Sequence, residues 1–276
     1  VMLYVKSPDL PEMWNGFGTK YEANPIFPMM FISIACGAIS GFHATQSPLM
    51  ARCMRSERHC RPIFYGAMVA EGAVALIWAA AATYFFHENG VIDAETGKAF
   101  SGAAVATRIS NEWLGTLGGI LAILGIVAAP ITSGDTALRS ARLIAADFLH
   151  IDQKPVSKRL LICIPLFLLT IAVLVYSLSD AEGFKIIWRY FAWCNQTLSV
   201  FTLWAITVYL VRHGKNFYIA LLPALLMTLV CSTYICIAPE GFQLPQLVSY
   251  AIGGVAVLVA IVWFAVWMRG WKLCRR

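Results

Sequence analysis

Charge is scarce in this chain: Asp, Glu, Lys and Arg make up 13% of its 276 residues, against 59% hydrophobic residues and a mean hydropathy of +0.69. Soluble domains carry about a quarter charged residues, so a water-soluble globular class is excluded and an all-α polytopic membrane protein is implied. No CxxC pair occurs among the eight cysteines, at 36, 53, 60, 163, 194, 231, 236 and 274. Redox and zinc-ribbon chemistry are therefore not read into them, and thiols within apolar segments act as small hydrophobes. Cys53, His59 and Cys60 have no second pair of ligands at metal spacing, so neither a metal nor a cofactor is expected. HExxH is missing, as is a serine signature on a credible turn, which argues against an enzyme. The basic residues form no continuous stripe despite a formal charge of +6, which argues against nucleic acid as a partner. No lysine lies within Gln246 to Met268, which excludes a retinal Schiff base there.

What the chain does have is apolar runs of about 20 residues, the length that crosses a bilayer as a helix. They are Phe27 to Phe42, Pro62 to Phe86, Trp113 to Thr132, Leu160 to Ser179, Ile186 to Val211, Phe217 to Ala238 and Gln246 to Met268, which gives about seven spans. Residues 1–25 read as an extracytoplasmic loop because Lys6 to Pro25 mixes Pro, Gly, Asn and charges of both signs; residues 26–276 read as the membrane domain. Val1 to Val5 resembles the last turn of an apolar span, so an upstream part of the same protein is expected. Arg52, Arg55, Arg58 and Arg61, then Arg139, Arg142, Lys154, Lys158 and Arg159, then Arg212 and Lys215, then Arg269, Lys272, Arg275 and Arg276 fall in alternate connections. Glu88, Asp93, Glu95, Asp180, Glu182 and Glu240 occupy the others. The positive-inside rule then puts residue 1 outside and the basic tail in the cytoplasm.

The stretch Cys36 to Pro48 interrupts the first apolar run with Gly37, Gly41 and Pro48. Pro48 removes a backbone donor and crowds the carbonyl of Ala44, so a helix break between Gly41 and Pro48 is expected. Irregular backbone within a bilayer lines protein-walled cavities, and in transporters it holds substrate and ion. Ser40, Gly41, Phe42, His43, Thr45, Gln46 and Ser47 are the candidate substrate-binding residues, the alternative being a bend whose side chains satisfy one another. Pro130 interrupts the third run, with Thr132, Ser133, Asp135 and Thr136 just beyond it. Their oxygen atoms suit a small cation or a proton relay, while Asp135 also has good i, i+4 geometry to pair with Arg139. Glu71, roughly 12 Å into the second run, joins them as an ion-coupling candidate because an acid at that depth is costly unless it is paired or solvated. Arg189, Asn195 and Gln196, in the outer half of the fifth run, are candidates for an outer gate. Ile92 to Glu112 is an outer connection, with Phe100, Ala103, Ala104 and Ala106 able to form an apolar helical face.

The segments Ile-Ala-Cys-Gly-Ala-Ile-Ser-Gly-Phe-His-Ala-Thr-Gln-Ser-Pro (34–48), Ala-Ala-Pro-Ile-Thr-Ser-Gly-Asp-Thr-Ala (128–137) and Ile-Trp-Arg-Tyr-Phe-Ala-Trp-Cys-Asn-Gln-Thr-Leu (187–198) resemble the carbon starvation protein A family. The resemblance runs from Phe27 onward and implies uptake of pyruvate or small peptides across a bacterial inner membrane under nutrient limitation, with a proton or sodium ion as the coupling ion. It also implies a LeuT-like inverted-repeat fold of the APC superfamily type. Residues 26–179 would be its second repeat, residues 186–268 additional helices, and the upstream part would carry the first repeat. In that fold Thr132 and Ser133 match by position the hydroxyl pair that holds sodium in sodium-coupled members. The competing reading from another class is a seven-helix membrane receptor or sensor, which shares the span count and orientation.

The charge pattern predicts that residues 55 and 154 face the cytoplasm and residue 95 the outside. Single cysteines at these positions, on a background without native thiols, check this: an impermeant maleimide added to intact cells should modify residue 95 alone, and modification at 55 overturns the topology.

Overall fold

A computed structural model describes residues 26–90, 102–179 and 183–274. The expected loop at 1–25, Phe100 and most of the acidic part of the outer connection, Asp180, Glu182, Arg275 and Arg276 lie outside the described residues. All regular structure among the described residues is helical. Helix α1 (Ile26–Ala38) and α2 (Gly41–Cys53) are followed by a 3₁₀ turn (Glu57–His59), a π-helical segment (Arg61–Gly66) and α3 (Ala67–Asn89). Then come α4 (Gly102–Phe148), α5 (Val156–Ser179), α6 (Gly183–Arg212), α7 (Tyr218–Ile237) and α8 (Gln246–Cys274).

Among the described residues, six stretches are long and apolar enough to cross a membrane: Glu57–Phe86, Ala104–Phe148, Val156–Ser179, Ile186–Arg212, Tyr218–Ile237 and Gln246–Trp271. The first expected span is divided. It forms two 13-residue helices, each about 20 Å long and so shorter than the hydrocarbon core of about 30 Å. The break also falls earlier than the prolines suggest, at Ile39 and Ser40, and Pro48 sits inside an unbroken α2. A proline costs a helix one hydrogen bond and a bend, whereas the break forms where a neighbouring helix supplies a replacement partner.

The chain divides into two compact units, each described by itself. One takes in Met54–Leu166; the other combines Ala23–Cys53 with Phe167–Arg276. In the second unit α7 is the central element, with Ala220, Ala224, Met227, Val230, Cys231, Thr233, Tyr234 and Cys236 buried against its neighbours. Ile32 of α1, Ala192 of α6 and Met227, Val230, Cys231 and Tyr234 of α7 form the core, and Ile39, Trp193 and Leu203 pack around it. Lipid tails are as apolar as these side chains, so close packing and interhelical hydrogen bonds hold such helices together rather than escape from water. Trp193 Nε1 donates to the Cys231 carbonyl at 3.2 Å, and Trp204 Nε1 donates to Thr228 Oγ1 at 3.1 Å. Gly253 lets α8 approach so closely that a Cβ there would strike Thr233 Oγ1. Toward the C-terminal end of α6, the Arg212 guanidinium lies 5.2 Å from the Trp271 ring centroid and 6.0 Å from that of Trp267, within cation–π range.

In the first unit α4 is not one straight rod. Gly115 has φ 66° and ψ −171°, so Gly102 to Leu114 forms a separate arm ahead of the long helix that ends at Phe148. A helical arm at the outer connection was expected, but its buried face differs. Val105, Ile109 and Trp113, spaced i, i+4, i+8, pack on Ala81 and Phe85 of α3, while Ala104 is exposed. Larger side chains reach across the gap that alanines leave open. The return after Gly115 is tight: a Cβ on Gly118 would strike Leu114, and one on Gly119 the Asn111 carboxamide.

The conformation at Gly115 is one that residues with a Cβ adopt only under strain, which costs about 1–3 kcal/mol. Gly115→Ala should therefore lower the melting temperature of the detergent-purified protein. Gly125→Ala, at a helical position with open space around it, should leave stability unchanged or raise it by up to about 1 kcal/mol. Equal melting temperatures for the two variants would show that no elbow is needed.

Candidate functional site

Ser40 is buried between the two half-helices and acts as the N-cap of α2. Its Oγ accepts from Phe42 N–H at 3.1 Å, and its carbonyl accepts from His43 N–H at 3.1 Å. His43 returns the contact: its Nδ1 accepts from Ser40 N–H at 3.3 Å. This is the reciprocal pattern of a capping box, with imidazole standing where Glu or Gln usually stands. An accepting Nδ1 places the proton of the neutral ring on Nε2, an assignment read from this hydrogen bond. Thr45 Oγ1 donates to the Phe42 carbonyl at 2.8 Å.

The break is sealed by α6. Asn195 Nδ2 donates to Ser40 Oγ at 2.8 Å, Ser40 Oγ lies 3.1 Å from Asn195 Oδ1, and Phe42 N–H donates to that same Oδ1 at 2.9 Å. The amide thus takes up the orphan donor that a helix start exposes, in surroundings where an unmet polar group costs several kcal/mol. Such proximity requires Gly41, because a Cβ there would collide with the Asn195 carbonyl and lie 2.6 Å from Leu198 Cβ.

Of the residues expected to bind substrate, Ser40, His43 and Thr45 turn their polar atoms onto the break itself, which is the geometry of the alternative reading of this bend. Gly41 supplies closeness, and Phe42, Gln46 and Ser47 are half-buried along α2. The residues expected as one gate are divided among three surroundings. Asn195 faces Ser40. Gln196 is fully buried and its carbonyl accepts from Ser199 Oγ at 2.7 Å. Arg189, about 9 Å further along α6 from Asn195, pairs with Glu240 at 3.7 Å.

The ion-coupling candidates all lie in the other unit. Asp135 accepts from Arg139 Nη2 at 2.7 Å, so the i, i+4 pair is formed, with both side chains exposed. Thr136 Oγ1 donates to the Thr132 carbonyl at 2.9 Å, and Thr132 and Ser133 are exposed. Glu71 is exposed on α3 and has no hydrogen bond or ion pair among the described residues.

Sequence reasoning treated Glu240 only as an outer-loop acid. The structure buries its side chain to 5% exposure in the turn between α7 and α8, where its Oε1 accepts from the Tyr234 hydroxyl. The available signal was a lone acid in an apolar turn, opposite a lone arginine in the outer half of the preceding helix pair.

Removing the Asn195 amide should take away the shorter of the two bonds of Phe42 N–H and the donor to Ser40 Oγ and cost about 1–3 kcal/mol, whereas Ser40→Ala combined with Asn195→Ala should cost clearly less than the sum of the two single changes. Melting of the purified variants measures both, and additive effects would mean that the two groups do not interact.

The family profile described as Carbon starvation protein CstA matches residues 4–117 and 83–234. An "Uncharacterized protein" of Haemophilus influenzae is 46% identical over 130 residues, which are 47% of this chain and 90% of that one. Peptide transporter CstA of Campylobacter jejuni is 39% identical over 84 residues, 28% of this chain and 12% of that protein. Pyruvate/proton symporter BtsT of Escherichia coli is 39% identical over 80 residues, 29% of this chain and 11% of that protein. The matched segments are thus a small part of either transporter's length, and no solved structure matches the chain. Since the two profile matches together span well over half of its residues, the chain belongs to the carbon starvation protein CstA family.

Proposed function

We propose that the protein is a secondary active transporter that imports pyruvate or small peptides across the bacterial inner membrane by proton or sodium symport, as part of a response to carbon starvation. The observation that carries this reading is the helix interrupted at Ser40 and closed by an amide from α6. A helix that only anchors a protein in lipid satisfies its own backbone; one that ends partway and borrows a partner can exchange that partner for a substrate or an ion. The names of the peptide transporter and the pyruvate/proton symporter, as relatives, supply the two substrate classes.

A LeuT-like inverted repeat is the architecture that accommodates these features. The broken α1–α2 pair, the return helix α3, the arm before Gly115, the long remainder of α4 and then α5 follow the order of one repeat. The other repeat then belongs to an upstream part of the same protein. Thr132, Ser133, Asp135, Thr136 and Glu71 are the proposed ion-coupling residues. Glu71 supports this because an exposed acid on an apolar helix calls for water, an ion or polypeptide beside it rather than lipid. Gln46 is the proposed substrate contact on α2, with residue 1 outside and the C-terminus in the cytoplasm.

Uptake of labelled pyruvate and a labelled dipeptide by the complete protein in proteoliposomes, under imposed proton or sodium gradients, tests the reading. One substrate should accumulate against its gradient. Glu71→Gln should abolish accumulation while preserving exchange, and Thr132→Ala and Ser133→Ala should weaken the ion dependence. Gln46→Ala should raise KM about five- to a hundredfold, the equivalent of a lost buried hydrogen bond. If neither substrate enters under either gradient, the transport reading fails.

A further inference from the structure

Away from the first break, α3 and the arm before Gly115 enclose a cavity of about 220 Å³ lined by Tyr84, Phe85, Asn89, Ile109, Glu112 and Trp113. None of these residues belongs to the break or to the ion-coupling set. Helix periodicity builds its walls. On the arm, Ile109, Glu112 and Trp113 fall at i, i+3 and i+4 and share a face; on α3, Phe85 and Asn89 are one turn apart with Tyr84 beside them. Phe85 and Ile109 are buried and form an apolar floor. The Tyr84 and Trp113 rings have centroids 5.7 Å apart and planes inclined at 50°, so they make two walls rather than a stack.

The polar groups over this floor favour one sign of charge. Asn89 Nδ2 donates to the Phe85 carbonyl at 3.0 Å, which leaves Oδ1, an acceptor, without a partner among the described residues. Glu112 has no hydrogen bond or ion pair among the described residues, and Arg108, one turn before it on the arm, does not line the cavity. Both helices also end here. The last residue of α3 is Asn89, and the arm stops at Leu114, where Gly115 leaves the helical region. Each brings the negative end of its aligned peptide dipoles, which favours a cation. A carboxylate, an unengaged amide oxygen, two helix C-termini and two ring faces therefore attract positive charge, and no lining residue supplies it.

Size and lining narrow the ligand further. An apolar cavity of about 150 Å³ admits a molecule the size of benzene, so this space takes a small organic ion with room to spare. Hard metal cations want about six oxygen ligands, whereas much of this lining is ring and alkyl surface. We propose that the cavity is a binding site for a small primary ammonium ion, with Glu112 and Asn89 Oδ1 accepting from its N–H groups, Tyr84 and Trp113 facing its charge, and Phe85 and Ile109 holding its alkyl body. On the topology proposed above, this end of the unit faces outward, so the ligand is an amine of the external medium. The binding itself does not rest on the transport reading. Because the ion touches both α3 and the arm, it braces the elbow at Gly115.

The test is a saturation-transfer NMR titration of n-butylammonium, at neutral pH, against the complete protein in nanodiscs of zwitterionic lipid, with empty nanodiscs as the blank. Wild type should bind with a Kd of about 0.1–10 mM, the range open to so small a ligand, and bound ligand should raise the melting temperature. The neutral 1-butanol should bind at least about tenfold more weakly, and tetramethylammonium, which carries the charge without an N–H, at least about threefold more weakly. Glu112→Gln, at an exposed position, should keep the fold and lose at least about tenfold in affinity. Tyr84→Leu should lose about threefold, while Tyr84→Phe, which keeps the ring face, should stay near wild type. Signal no larger than that of empty nanodiscs, equal binding of butylammonium and 1-butanol, or full affinity in Glu112→Gln overturns the site. Tetramethylammonium binding as tightly as butylammonium overturns the assignment to a primary ammonium ion, and equal losses in the two Tyr84 variants overturn the role of the ring.

Discussion

The second unit depends on how a helix can stop inside an apolar medium. Phe42 N–H and the Ser40 hydroxyl sit at such an end, and in lipid they have no water to turn to. Asn195 meets both from a neighbouring helix. That requirement fixes the contact between α2 and α6, demands Gly41 at the crossing, and draws His43 back onto Ser40 as the other half of the cap. Ser199 and Gln196 continue the polar band along α6, so the middle of this helix is committed to hydrogen bonding rather than to lipid.

The two units meet the same solvent differently. In the second, α7 is buried along much of its length and small residues such as Ala192, Ala220, Ala224 and Gly253 bring helices close enough for contact forces and hydrogen bonds to act. In the first, packing is concentrated where the arm before Gly115 lies against α3, and long rows including Leu76, Leu117, Leu121, Leu124 and Leu161 are exposed. Those rows suit lipid. Glu71 does not, and neither do the exposed Asp135–Arg139 pair and Ser133, which is why these polar positions stand out in otherwise apolar surroundings.

Charge placement follows one physical rule with two outcomes. Where Asp135 and Arg139 share a helix, the pair forms locally at 2.7 Å and stays exposed. Where Arg189 and Glu240 are far apart in sequence, the acid is buried first by the turn that carries it, and the arginine reaches only to 3.7 Å. The first arrangement is close to electrostatically satisfied. The second leaves one carboxylate oxygen without a hydrogen bond, and chemistry concentrates where satisfaction is incomplete.

Composition and periodicity alone determined that this chain is helical and apolar enough for several membrane crossings, because a run of about 20 apolar residues has few other stable forms in lipid. They also marked the neighbourhood of the first break and the Asp135–Arg139 pair, since each depends on residues close in sequence. Three-dimensional packing decided what depends on partners far away. It moved the break from the stretch between Gly41 and Pro48 to Ile39 and Ser40, because the amide that makes a break tolerable comes from Asn195, 155 positions on from Ser40. It assigned Asn195, Gln196 and Arg189 to different surroundings, and it buried Glu240 against Tyr234, since helix rotation and turn winding determine which side chains meet. Local sequence specifies where hydrogen bonds are missing; only the folded chain specifies what replaces them.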